Sequence, residues 1–168
     1  MSLSMHQASA PVFVQMLTSL RAILDKAEAH CTAKKIDPAV ILGARLFPDM
    51  FPLTRQVQLT SDFAKGPMAR LAGQEPPKWD DKEASFGELR ARIDKTIEFV
   101  KSFRPDQIDG AETRDVTIPI GGNPTTFKGQ RYLIGFALPN FFFHHTAAYS
   151  ILRHNGIEIG KRDYLGQY

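Results

Sequence analysis

PNFFFHHTAAYSILRHNG, residues 139–156, overlaps a run from Tyr132 to Leu152 that contains no Asp, Glu, Lys or Arg. About 20 apolar residues suffice to span a bilayer, so this run has to be tested as a membrane segment first. It fails on Pro139, Asn140, His144, His145, Thr146 and Ser150, and no second segment resembles it. The reading is a buried core helix that runs to about Asn155. Gly156 is its C-terminal stop and Gly129 stands before its start. Pro139 lacks an amide N–H and should kink it. A helix apolar on nearly all sides must be covered on all sides, so this one also predicts a homodimer.

Upstream, RDVTIPIGGNPTTFK (114–128) changes period. Val116, Ile118 and Ile120 alternate with polar residues or proline, Gly121-Gly122-Asn123-Pro124 turns the chain, and Phe127 returns. This is a small β-hairpin inserted before the last helix. Further back, Phe86, Leu89, Ile93, Ile97, Val100 and Phe103 form the apolar stripe of a third helix. Asp80 and Glu83 offer a capping-box spacing for its start. A second helix runs from about Pro52 to Ala72, with Gly66-Pro67 expected to kink or interrupt it. The first helix carries Phe13, Met16, Leu17, Leu20, Ile23, Leu24 and Ala27 on one face, with Pro11 in its first turn. Asp37-Pro38 marks the turn after it, and a short helix follows at 38–43. The last residues, GIEIGKRDYLGQY, read as a polar tail whose charges are solvated.

Four long helices and a hairpin predict an all-α four-helix bundle, taken as one domain over residues 1–168. The chain holds 43% hydrophobic and 23% charged residues, which excludes wholesale disorder. A net charge of +3 with no block of like charges argues against nucleic acid as a partner. A single cysteine, Cys31, precludes an internal disulfide, and the N-terminal residues lack a signal-peptide pattern, so the expected location is cytoplasmic. Cys31 lies beside His30, but neighbours on a helix point about 100° apart and do not make a nucleophilic dyad. GIEIGK before Arg162 has the wrong spacing and context for a phosphate-binding loop.

The histidines carry the chemistry. His144 and His154 would stand about 15 Å apart along a helix and share no ion. His144 and Asn140 are four apart and share a face. His145 falls near the centre of the arc of Leu138, Phe141, Tyr149 and Leu152, where packing is the ordinary role; His144 lies at its edge. A metal site would need neutral imidazole plus two further ligands from other helices.

RLFPDMFPLTRQVQLTSDFAKGPMARLAG, FALPNFFFHHTAAYSILRHNG and GKRDYLG, together with the helix order and the late hairpin, resemble a bacterial family of unknown function within the DinB/YfiT-like superfamily of metalloenzyme-type bundles. The resemblance covers nearly the whole chain. It implies a four-helix bundle, often dimeric, with a divalent-metal site between helices. Members with an intact site carry one histidine on the second helix and an H-x-x-x-H pair on the fourth, and some are thiol-dependent transferases or isomerases. Matching the last helix puts that pair at Asn140 and His144, so only His144 is kept. The second helix has no histidine; Gln56 is the nearest polar substitute, with Asp49 and Asp62 behind it. Loss of two imidazoles weakens a site for Zn or Ni, although amide and carboxylate oxygens suit harder ions.

Two readings follow. One is a metal-dependent hydrolase or thiol-dependent transferase with an altered site, His144 being ligand or general base beside Asn140 and Gln56. The other is a non-catalytic dimeric bundle binding a small ligand or protein partner, with Phe141, Tyr149, Asp62 and His145 at a pocket or interface.

Overall fold

The computed structural model describes residues 3–167. The chain is mainly helical, with one small two-stranded antiparallel sheet. Helix α1 spans Ala10–Lys34, and its apolar face from Phe13 to Cys31 is buried. Lys35 ends it in the left-handed region at φ 56°, and the Ile36 N–H returns to the Cys31 carbonyl, so the last turn is closed by a Schellman-type cap. Helix α2, Pro38–Leu42, starts on the Asp37 carboxylate, which accepts from the Ala39 N–H.

Helix α3 spans Leu53–Leu71 and runs through Gly66-Pro67 without the interruption that was one of the two outcomes expected there. Pro67 sits in the penultimate turn and removes a single amide donor, which packing on both sides of the helix tolerates. Helix α4, Phe86–Lys101, begins later than the Asp80–Glu83 spacing predicts. The cap is Ser85, whose Oγ accepts from the Glu88 N–H, while Glu88 reaches back to the Ala84 N–H at 2.7 Å. Asp80 and Glu83 lie instead in an extended linker, and the reason is electrostatic: Glu83 and its neighbour Asp81 are drawn onto Arg92 of α4.

After the short helix α5, Pro105–Ile108, strands β1 (Asp115–Ile120) and β2 (Asn123–Lys128) pair with Val116 opposite Phe127. The turn is shorter than the four residues read from sequence. It consists of Gly121 and Gly122 alone, both with positive φ, the backbone that a two-residue hairpin of matching twist requires. Helix α6, Gly129–Tyr132, begins at a glycine because the chain crosses the Ala111 carbonyl so closely that a Cβ would collide with it.

From α6 the backbone passes through a π-helical turn, Leu133–Ala137, into helix α7, Leu138–His154. The disturbance expected at Pro139 thus takes the form of a widened turn just ahead of it, a common accommodation of a residue without an amide donor. Helix α1 packs on α4 and α7, and α3 packs on the same two helices, so the core lies between all four.

The terminal segment departs from the solvated tail read from sequence. Ile157 and Ile159 are buried, and helix α8, Lys161–Leu165, docks on α1. Asp163 bonds Lys26 at 2.6 Å and the Gly160 N–H at 2.9 Å, while Gln15 donates to the Leu165 carbonyl. The Lys26 contact chiefly holds the Asp163 carboxyl below its ordinary range.

Among the described residues no helix is long and apolar enough to cross a membrane.

Candidate functional site

Two of the three residues that sequence placed at a metal site, His144 and Gln56, meet, and the third, Asn140, does not join them. Gln56 projects from the first turn of α3 and His144 from the middle of α7, and their side chains lie 2.8 Å apart between His144 Nδ1 and Gln56 Oε1. The amide is oriented from its other end, because Gln56 Nε2 donates to the Phe51 carbonyl at 3.2 Å. With nitrogen turned toward a carbonyl, oxygen faces the ring. His144 therefore carries its proton on Nδ1 and donates it to Gln56.

His144 is 8% exposed. Phe63 of α3 stacks on it at 5.4 Å and Phe143 meets it edge-on at 5.2 Å. Burial, with help from the positive charge of Arg55, pushes the imidazole down to about 4. At neutral pH it is uncharged, with the Nε2 lone pair left as an acceptor.

Asn140 lies one turn earlier on the same helix, but its Nδ2 donates to the Phe136 carbonyl at 2.8 Å within the π-helical turn. It mends the backbone there rather than joining the His144–Gln56 pair. Asp62 is turned to the α4 side of α3, where it accepts from Lys65 at 2.6 Å and Arg92 at 2.9 Å. Phe141 is fully buried against Phe13 and fills the core.

His145, one residue on, faces α1. Its Nε2 donates to the Met16 carbonyl at 3.0 Å, and the Tyr164 ring of α8 covers it edge-on at 4.6 Å. Tyr149 packs on that same Tyr164. Burial pushes His145 down to about 4 against the pull of the Met16 bond. Its Nδ1 faces no hydrogen-bond partner among the described residues. His145 and Tyr149 thus join α7 to the terminal helix.

The donor set does not fit the three-histidine centre implied by the fold resemblance. Gln56 offers its oxygen to an N–H, Asn140 is held by the backbone, and a single imidazole nitrogen remains. Among the described residues no group of three His, Cys, Asp or Glu side chains converges as metal ligands would.

A second polar centre was not anticipated. The Arg92 side chain is 2% exposed and is gripped by Asp62, Asp81 and Glu83 at 2.9–3.0 Å. Burial alone would lower its pKa, but the Glu83 hydrogen bond and the three carboxylate charges raise it. Gln58 donates to Glu83 and Arg55 binds Asp81, so the linker is pinned to both helices. Trp79 lies over this centre, with the ammonium groups of Lys65 and Lys95 each 4.4 Å from its ring centre. One signal for it was present: Arg92 falls within the Leu89, Ile93 and Thr96 side of its helix, where a charge demands a buried partner.

Comparison with known proteins agrees with the resemblance seen in the sequence. Residues 5–165 match the family described as Domain of unknown function (DUF1993). The chain is similar to a DinB family member protein from Shewanella denitrificans, seen in a crystal structure, at 42% sequence identity. The match covers 97% of this chain and 92% of that one, with a TM-score of 0.91. No curated protein matches.

Proposed function

The chain belongs to the DUF1993 family, with a DinB family protein as a structural neighbour, and for it we propose a small-ligand-binding role on a DinB-like four-helix bundle folded as one domain. The observation that carries this is the His144–Gln56 hydrogen bond. It takes the Gln56 oxygen out of any ligand set and leaves His144 Nε2 as a single donor, fewer than the three protein ligands that a metal centre needs. The neutral pair is well suited to hold a ligand through the Nε2 acceptor and the apolar surroundings of Phe63 and Phe143. Thermal unfolding with Zn or Ni tests it: an unchanged midpoint is expected. A metal-dependent rise that disappears in His144→Ala would instead favour a hydrolase or thiol-dependent transferase.

The homodimer belongs to the same proposal. Phe143 is 56% exposed, and it shares a shallow depression with Leu46, Met50 and Phe142 beside the exposed Phe47. An apolar patch of this kind favours a partner surface. Light scattering should give a dimer mass for the native chain and a monomer mass for Phe143→Asp.

A further inference from the structure

A groove of about 680 Å³ runs between α3, the linker after it, the hairpin and the π-helical turn. One wall is aromatic and apolar, with Phe63, Trp79, Tyr132 and Phe136 and with Ile118 and Pro119 from β1, and charged residues of α3 and the linker line the rest. The volume suits a small organic molecule, and an apolar wall beside polar groups that fix orientation is the usual form of such a site. Phe63 also stacks on His144, so the groove and the His144–Gln56 pair share one wall.

The polar group that distinguishes this groove is Arg70. It is half-buried, and its Nη1 donates to the Tyr132 hydroxyl at 3.1 Å. It forms no ion pair among the described residues, whereas buried Arg92 has three carboxylates. The helix makes room for it. A Cβ on Gly66 would stand 2.7 Å from Arg70 Nη1, so glycine one turn earlier lets the guanidinium lie along the helix at the groove.

The carboxylates lining the same groove do not neutralise it. Asp62 is taken by Lys65 and Arg92, Asp80 by Lys82, and Glu75 is exposed and forms no ion pair among the described residues. Two cations without an ion pair among the described residues, Arg70 and exposed Lys78, are opposed by one such carboxylate, and that balance suits a monoanion better than a phosphate dianion. The planar fork of Arg presents paired donors that match a carboxylate.

We infer that this groove binds a small flat organic carboxylate, its ring against Phe63 and Phe136 beside Trp79 and its anionic group on Arg70. This rests on the ligand-binding reading and names the ligand class. The chain has a single tryptophan, so Trp79 gives one indole N–H resonance that reports directly from the groove. Titration of the full-length protein with 2-naphthoate, followed by nitrogen–proton correlation spectra, should move that resonance saturably. Neutral 2-naphthamide should bind more weakly, and inorganic phosphate should not saturate. Arg70→Met keeps the aliphatic stem and should weaken naphthoate roughly ten- to hundredfold while leaving naphthamide unchanged. Failure of millimolar naphthoate to move the Trp79 resonance of the native protein would overturn the inference without reliance on any variant. Equal affinity of native and Arg70→Met proteins for naphthoate would overturn it as well. If naphthamide binds as tightly as naphthoate, the anionic class is wrong while the ligand-binding reading stands. If neither aromatic binds and Zn is retained stoichiometrically, that reading falls too.

Discussion

Helix α3 carries two polar centres built on opposite principles. Toward α7, Gln56 meets His144 in a neutral pair enclosed by aromatic rings. Toward α4, Asp62 joins a charged cluster around Arg92, completed by two carboxylates from the linker. The neutral centre needs few partners and leaves one nitrogen open. The charged one surrounds its guanidinium with three carboxylates, because an unpaired buried ion is far more costly than an unpaired amide. One side of α3 is therefore suited to hold a ligand and the other to hold the linker.

The largest effect should come from breaking the charged side. Arg92→Ala leaves Asp62, Asp81 and Glu83 without their cation, and urea unfolding should show a loss of about 3–5 kcal/mol. Fluorescence of Trp79, which lies over the cluster, should shift as the linker loosens. A loss below about 1 kcal/mol would mean that the cluster contributes as little as an exposed ion pair.

Acid sharpens the contrast from the neutral side. His144 and His145 are lowered from 6.5 to about 4 in the folded chain, so between those values the unfolded chain binds more protons. Their stabilising contribution is complete above about pH 6.5, declines as pH falls through that window, and is gone below about 4. The combined loss is roughly a few kcal/mol. Unfolding midpoints across pH 7 to 4 should decline, and His145→Gln should flatten the decline.

Gln56→Leu is the smallest perturbation. It removes the acceptor for His144 Nδ1–H, and denaturation should show a loss of about 1–3 kcal/mol. His144→Phe combined with Gln56→Leu should recover part of it, since apolar partners leave no donor unpaired.

Much of this architecture was legible because periodicity and local chemistry agreed. The uncharged stretch around His144 identified its own helix, and Gly121-Gly122 with alternating apolar residues identified the hairpin. Gln56 was legible as a polar residue within an apolar arc, and it proved to be the partner of His144. The start of α4 was not, because Asp80 and Glu83 satisfy a capping pattern and an ion cluster equally well, and only the position of Arg92 separates the two. The docking of α8 was hidden for a related reason. Lys161, Arg162 and Asp163 read as solvated charges, whereas Tyr164 between them and Gly166 supplies the contact that seats the segment on His145. The groove at Arg70 was hidden because it is assembled from four segments distant in sequence.

The central claim is that His144 is a neutral imidazole with its proton on Nδ1, bound to Gln56. Nitrogen NMR of the histidine side chains, recorded at neutral pH before and after addition of Zn, tests it most directly. The account predicts a protonated Nδ1 and an unprotonated Nε2 for His144, with Nε2 unmoved by the metal. A proton on Nε2, or loss of the Gln56-dependent Nδ1 signal with a metal-shifted nitrogen in its place, would contradict it.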